Sequence, residues 1–216
     1  MDQKKFLITT PEHDDVTHYC SVWSNEIINL AKEKGLDIIN LNKEKANKNN
    51  FETRIKSNKP VFIMFNGHGT KNEIYGDKEE ILIQEDNNEY LTNCAIVYAR
   101  SCFSLSSLGK KCCKIGGAKA FIGYFFPFMF VSDPNRCATP IKDTLAEPCL
   151  SSSNQIPISL LKGNDVQDSV SKSKNQMDKS ILKWKVETTV EAQIVVACLM
   201  WNKKALGFEG NPKIIL

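Results

Sequence analysis

Two short stretches place reactive side chains directly beyond apolar runs. Asn66-Gly67-His68-Gly69-Thr70 follows the run at 61–65, and Arg100-Ser101-Cys102-Phe103-Ser104 follows a second run at 94–99. His68 is one of only three histidines, and it sits between glycines; Cys102 is one of eight cysteines. An ordinary thiol, with a pKa of about 8.5, is mostly protonated at neutral pH. A neighbouring imidazole can take its proton or stabilise the thiolate, which yields a nucleophile and its base. Gly69 has no side chain to obstruct a substrate, so its N–H and that of Cys102 can form an oxyanion hole. Acyl transfer by this set needs no cofactor.

The surrounding elements must bring these residues together. Residues 5–9 form a short apolar strand, followed by the loop Thr10-Pro11-Glu12-His13-Asp14. Val16, Tyr19, Cys20, Trp23, Ile27, Leu30 and Ala31 recur at three- and four-residue intervals, which predicts one amphipathic helix ending at Gly35. A strand is expected at 37–41, a polar helix at 45–57, and a strand at 60–65 that is apolar on both faces and so covered on both sides. Residues 75–83 read as a turn and a short hairpin strand, 94–99 as a core strand, 104–115 as a helix closed by Gly116-Gly117, and 118–124 as another buried strand. Residues 125–157, rich in Pro, Ser and Cys, read as a long loop with a short helix near 141–146; helices at 166–183 and 190–204 and a closing edge segment at 207–216 follow. Alternation of strand and helix predicts a single domain over 1–216, an α/β, three-layer α/β/α sandwich with a mostly parallel central sheet. Strand ends in such a sheet lie on one edge, where ligand sites form, so His68 and Cys102 can meet.

Bulk properties exclude other classes. The chain has 216 residues, 42% hydrophobic and 25% charged, with a net charge of +3 and no basic block, so no nucleic-acid partner is expected. The longest apolar run, 121–131, contains Gly123 and Pro127 and is too short to span a bilayer, so no membrane contact is expected. The N-terminus lacks a secretory pattern, and a cytoplasmic protein with reduced thiols is expected. Cys112 and Cys113 are adjacent, no CxxC occurs and the histidines are not paired at ligand spacing, so neither a metal nor a cofactor is expected.

The segments NGHGT and YARSCFS, each after a buried strand and followed by GGAKAFIGY, resemble the caspase–hemoglobinase superfamily of cysteine peptidases, clan CD, most nearly its gingipain-like and CHAT branches. SLLKGNDVQDSV and MWNKKALGFEGNP resemble the later helix and closing segment of those branches. The resemblance implies a caspase-like fold and an endopeptidase with Cys102 as nucleophile, His68 as general base and acid, and Gly69 with Cys102 as oxyanion donors. It implies a protein or peptide substrate and, in the gingipain-like branch, an acidic residue after the first strand that binds a basic P1 side chain. Asp14 is the preferred residue for that pocket, and Asp15 is its neighbour. The Gln-Ala-Cys-x-Gly pattern of the caspases proper is absent, so aspartate specificity is not implied.

Plainer readings stand beside these. His68 can be a turn histidine, Cys102 a buried small hydrophobe, Asp14 a solvated carboxylate and Asp15 the N-cap of a helix from Val16. His13 and His18 read as surface residues, and no residue is identified to orient His68. The alternatives to a peptidase are a catalytically silent caspase-like scaffold in a larger assembly and, last, a flavodoxin-like small-molecule binder, against which the absence of a glycine-rich phosphate loop speaks. A regulatory protein partner, or self-cleavage near Lys142, Lys162 or Lys172, is the expected form of control.

Overall fold

The computed structural model describes residues 3–216. Strands β1 (Lys5–Thr10), β2 (Asp37–Asn42), β3 (Phe62–Asn66), β6 (Ile96–Arg100), β7 (Ala120–Tyr124) and β8 (Leu206–Gly210) form one sheet in the order β2-β1-β3-β6-β7-β8. All neighbours are parallel except β7 and β8. A separate antiparallel hairpin, β4 (Glu73–Tyr75) and β5 (Ile81–Gln84), follows the His68 loop.

The double-sided burial read from β3 and its neighbours is realised by two cores. On one face Phe6, Ile8, Phe62, Met64, Tyr98 and Ile122 pack beneath α2 (Asn25–Glu33), α5 (Glu147–Leu161), α6 (Val166–Trp184) and α7 (Val190–Ala205). On the other, Leu7, Ile63, Phe65, Val97 and Phe121 pack against α3 (Lys48–Asn58), α4 (Leu108–Lys114) and the hairpin. The three-layer α/β/α sandwich with a mostly parallel sheet is therefore present. No helix among the described residues is long and apolar enough to cross a membrane.

Three elements differ from expectation, each for a local reason. The single helix predicted from residue 16 is two, α1 (Asp15–Trp23) and α2, broken at buried Ser24, whose hydroxyl donates to Cys20 O at 2.8 Å. The helix expected from Ser104 begins only at Leu108, after a run of turns. The last third of the segment read as loop, from Glu147, belongs to α5, which contains two prolines. Pro148 stands in the first turn, where an N–H has no helical partner anyway. Pro157 lies inside the helix and leaves Ser153 C=O without its usual donor; the hydroxyl of Tyr98 on β6 reaches that oxygen at 3.4 Å and lies 2.5 Å from Ser153 Oγ. A tertiary contact thus offsets a local helix breaker.

The remaining loop, from β7 to α5, is fastened at several points, two of them buried polar side chains. The buried amide of Asn202 on α7 donates to Met129 O at 2.6 Å and accepts from Met129 N–H at 2.9 Å. Asp143, also buried, accepts from the Tyr19 hydroxyl of α1 at 2.7 Å and from the backbone N–H groups of Asp133, Leu145 and Ala146. An unpaired buried donor costs about 1 to 3 kcal/mol. Asp143→Ala is therefore expected to destabilise the fold by about 3 kcal/mol in urea unfolding and to speed proteolysis within 125–146.

Candidate functional site

The register of the central strands fixes the site. Asn66 of β3 lies beside Arg100 of β6, and each chain then leaves the sheet at the same edge. Gly67 makes the turn at a φ of 150°, where any Cβ would run into Tyr75 O. His68 follows on one side and Cys102 on the other. The two loops touch: a Cβ added to Gly69 would collide with Ser101 Oγ and lie 3.2 Å from Cys102 O. Phe103, directly after the cysteine, holds a φ of 55°, a left-handed conformation that costs a non-glycine residue about 1 kcal/mol or more and gathers at functional turns.

Two backbone donors remain free at this junction. The Gly69–Ile74 bridge uses Thr70 N–H to Glu73 O and Tyr75 N–H to His68 O, so Gly69 N–H lies outside the ladder. Among the described residues, neither Gly69 N–H nor Cys102 N–H donates to a protein acceptor. This is the pair singled out from the sequence.

The loop after β1, the other neighbour of β3, reaches the histidine. Asp14 caps α1: its Oδ1 accepts from Thr17 N–H at 2.8 Å, and the Thr17 hydroxyl completes the box at the other side. The cap is thus Asp14, one residue before the position expected, because Asp15 is already helical. Its second oxygen, Oδ2, sits 2.5 Å from His68 Nε2. Burial opposes ionisation of Asp14, but the Thr17 N–H, His68 and the Thr17 hydroxyl outweigh it and hold the carboxyl at about 2, below its ordinary 3.8.

Asp15 faces elsewhere. With Val16, Tyr19, Phe128, Met129, Phe130 and Ser132 it lines a mostly apolar cleft of about 220 Å³. Phe128 joins this cleft to the cysteine, since its carbonyl lies 4.0 Å from Cys102 Sγ. Burial raises the Cys102 thiol above its usual range. The positive end of the helix expected from Ser104 would favour a thiolate if it began close to Cys102, but α4 starts only at Leu108. None of the eight cysteines is in a disulfide.

His13 is the residue that sequence reasoning missed. Expected at the surface, its side chain is only 13% exposed; Nε2 lies 3.8 Å from Asp14 Oδ2 and Nδ1 lies 3.8 Å from Asp77 Oδ1. Its ring stands edge-on to that of His68, with centroids 6.0 Å apart. Its place in the loop after β1, on the same sheet edge as His68, was the available signal. His18 does lie outward, paired with Glu12 at 3.3 Å.

No family model matches the sequence, and none of the curated proteins matches it. Solved structures do. The Arg-specific cysteine proteinase gingipain R superposes with a TM-score of 0.62 at 11% identity, over 99% of this chain and 47% of that one. The complex of Porphyromonas gingivalis RgpB pro- and mature domains gives 0.59 at 12% identity, over 99% and 48%. This chain spans about half the length of those it matches. At such identities the likeness concerns the backbone alone: this chain has the caspase-like fold of the gingipain cysteine proteinases.

Proposed function

We propose that the chain is a cysteine endopeptidase in which Cys102 attacks the peptide carbonyl and His68 moves the proton. What carries the reading is the junction of the two loops, where Gly69 packs on the backbone of Cys102 and both N–H groups stay free. Asp14 holds His68 through Nε2, so the neutral ring presents Nδ1 as the base. As the sulfur–carbon bond forms, the thiol proton passes to His68 and the oxyanion is received by the N–H groups of Gly69 and Cys102. His68 then returns the proton to the leaving amine, and water hydrolyses the thioester. Because burial keeps the free thiol protonated, transfer to His68 accompanies attack rather than preceding it.

The two carboxylates read for the P1 pocket divide the work in this proposal. Asp14 is taken up by His68, while Asp15 stands at the cleft beside Phe128. A lysine or arginine side chain fits there, its methylene stem along Tyr19, Phe128 and Phe130 and its charged head at Asp15. Control by a protein segment agrees with the pro- and mature-domain complex among the similar structures. All three lysines considered for self-cleavage are exposed; Lys172 is inside α6, whereas Lys162 caps α5 and Lys142 lies in the short turn before Asp143, outside regular helix. A second reading, the silent scaffold or a CHAT-like regulatory module, is favoured by one observation, the raised thiol beyond the reach of a helix dipole.

The discriminating test is labelling with iodoacetamide and with an Arg-acyloxymethyl ketone, sites mapped by mass spectrometry. Selective labelling at Cys102 that is lost in His68→Ala supports the peptidase; even labelling of the exposed thiols in both proteins supports the scaffold. Gly69→Ala is expected to lower kcat/KM by about 10²-fold or more, since the methyl collides with Ser101 and displaces one oxyanion donor. Asp15→Asn is expected to raise KM for Arg and Lys substrates with little change in kcat. Because Asp14 has its folded carboxyl at about 2 against an ordinary 3.8, its stabilising contribution is complete above pH 4 and is lost as the pH falls toward 2. Asp14→Asn should therefore flatten the pH dependence of stability across that window, and it should also depress turnover at neutral pH by freeing the His68 ring.

A further inference from the structure

We infer that His13, Asp14 and His68 form a binding site for a divalent transition-metal ion of the Zn²⁺ type, and that an ion held there withdraws His68 from proton transfer. The inhibitory part rests on the peptidase reading above; the binding part does not.

The donor atoms of the three side chains lie within 4.8 Å of one another. Two imidazoles and a carboxylate are the ligand types that zinc takes, and three protein ligands with a fourth position left to water is a common set for it. The strongest sign is His13. Both of its ring nitrogens are buried, and neither has a hydrogen-bond partner among the described residues. A buried ring nitrogen left in this way is costly. Each nitrogen faces a carboxylate oxygen at 3.8 Å, too far for a hydrogen bond. Across a tetrahedral zinc, with bonds near 2.0 to 2.2 Å, nitrogen and oxygen ligands stand about 3.4 Å apart. His13 Nε2 and Asp14 Oδ2 are close to that spacing already. His68 Nε2 and Asp14 Oδ2, at 2.5 Å, must part by roughly 1 Å, and both side chains are open enough to move, with 32% and 39% of their surface exposed.

The carboxylate of an outer shell stands within a small shift of hydrogen-bond distance, 3.8 Å away. His13 presents its other nitrogen, Nδ1, to Asp77, the carboxylate–histidine arrangement that orients a metal-binding imidazole and raises its basicity. Asp77 is itself fixed, its backbone N–H donating to Ala46 O at 2.8 Å. The exposure of Asp14 and His68 places the remaining coordination position toward solvent. An ion seated there competes with the proton for His68 Nε2 and pulls the ring out of its alignment on Asp14, so turnover stops while metal is bound.

The test is titration of the full, reduced chain with Co²⁺ followed by optical spectroscopy, and with Zn²⁺ followed by calorimetry. One equivalent is expected, giving visible d–d bands without thiolate-to-cobalt charge transfer. Affinity should fall about 100-fold in His13→Gln and 10- to 100-fold in Asp77→Asn, with Cys102→Ala unchanged. Melting of each variant in chelator, matching the wild type, shows that folding is not the cause. Absence of binding, binding indifferent to His13→Gln, or a thiolate band that assigns the ion to cysteines overturns the site. With an activity assay, Zn²⁺ should inhibit the wild type reversibly, and Asp77→Asn, fully active in chelator, should need 10- to 100-fold more. Binding as described in a protein inactive with or without metal would uphold the site and count against the peptidase; activity that persists with the site filled would overturn the inhibitory role.

Discussion

The parallel pairing of β3 with β6, which sets Asn66 beside Arg100, is the constraint on which the rest of the molecule depends. It sends the two chains out of the sheet at one height, so that the loops carrying His68 and Cys102, each two residues further on, meet where Gly69 packs on Ser101 and Cys102. The strands on either side extend the arrangement. β1, next to β3, delivers the loop with Asp14, and β7, next to β6, delivers the loop with Phe128. Four adjacent parallel strands thus present four loops at one edge, and each supplies a different part: an orienting carboxylate, an imidazole, a thiol and a cleft wall. The requirement for backbone hydrogen bonding in the sheet does the positioning, and no loop needs to find its partner alone.

Much of this was legible because it depends on patterns of period and order. Strands apolar on both faces announce a covered sheet, and His-Gly and Ser-Cys after successive strands announce a shared edge. What was not legible depends on contacts across the fold. α5 looked like loop because Pro148 and Pro157 argue against a helix, and only Tyr98 on the sheet answers for the orphaned Ser153 carbonyl. Ser24 interrupts a clean helical period through a hydroxyl that turns back to Cys20. Asp14 was recognisable as an acidic residue near the site, but its two oxygens have separate duties. One caps a helix, which is local; the other meets a histidine 54 residues away, which is not. His13 was misjudged for the same reason, since Asp77 comes from the turn of the distant hairpin.

The electrostatics of the two loops are opposite. Burial without a nearby helix N-terminus leaves Cys102 in its neutral form, whereas Asp14 is charged across the physiological range. A neutral thiol resists adventitious oxidation, because the thiolate is the species oxidants attack. The same Asp14 ties the imidazole to α1, so the orientation of the base is inherited from a capped helix and not from a loop.

Asp143 gives that helix a further connection. A single carboxylate receives Tyr19 of α1 together with three N–H groups of the segment that walls the cleft. The wall and the helix capped by Asp14 therefore share one fastening. Lifting the 125–146 segment would strip the cleft of its wall and take from Tyr19 of α1 its acceptor at once.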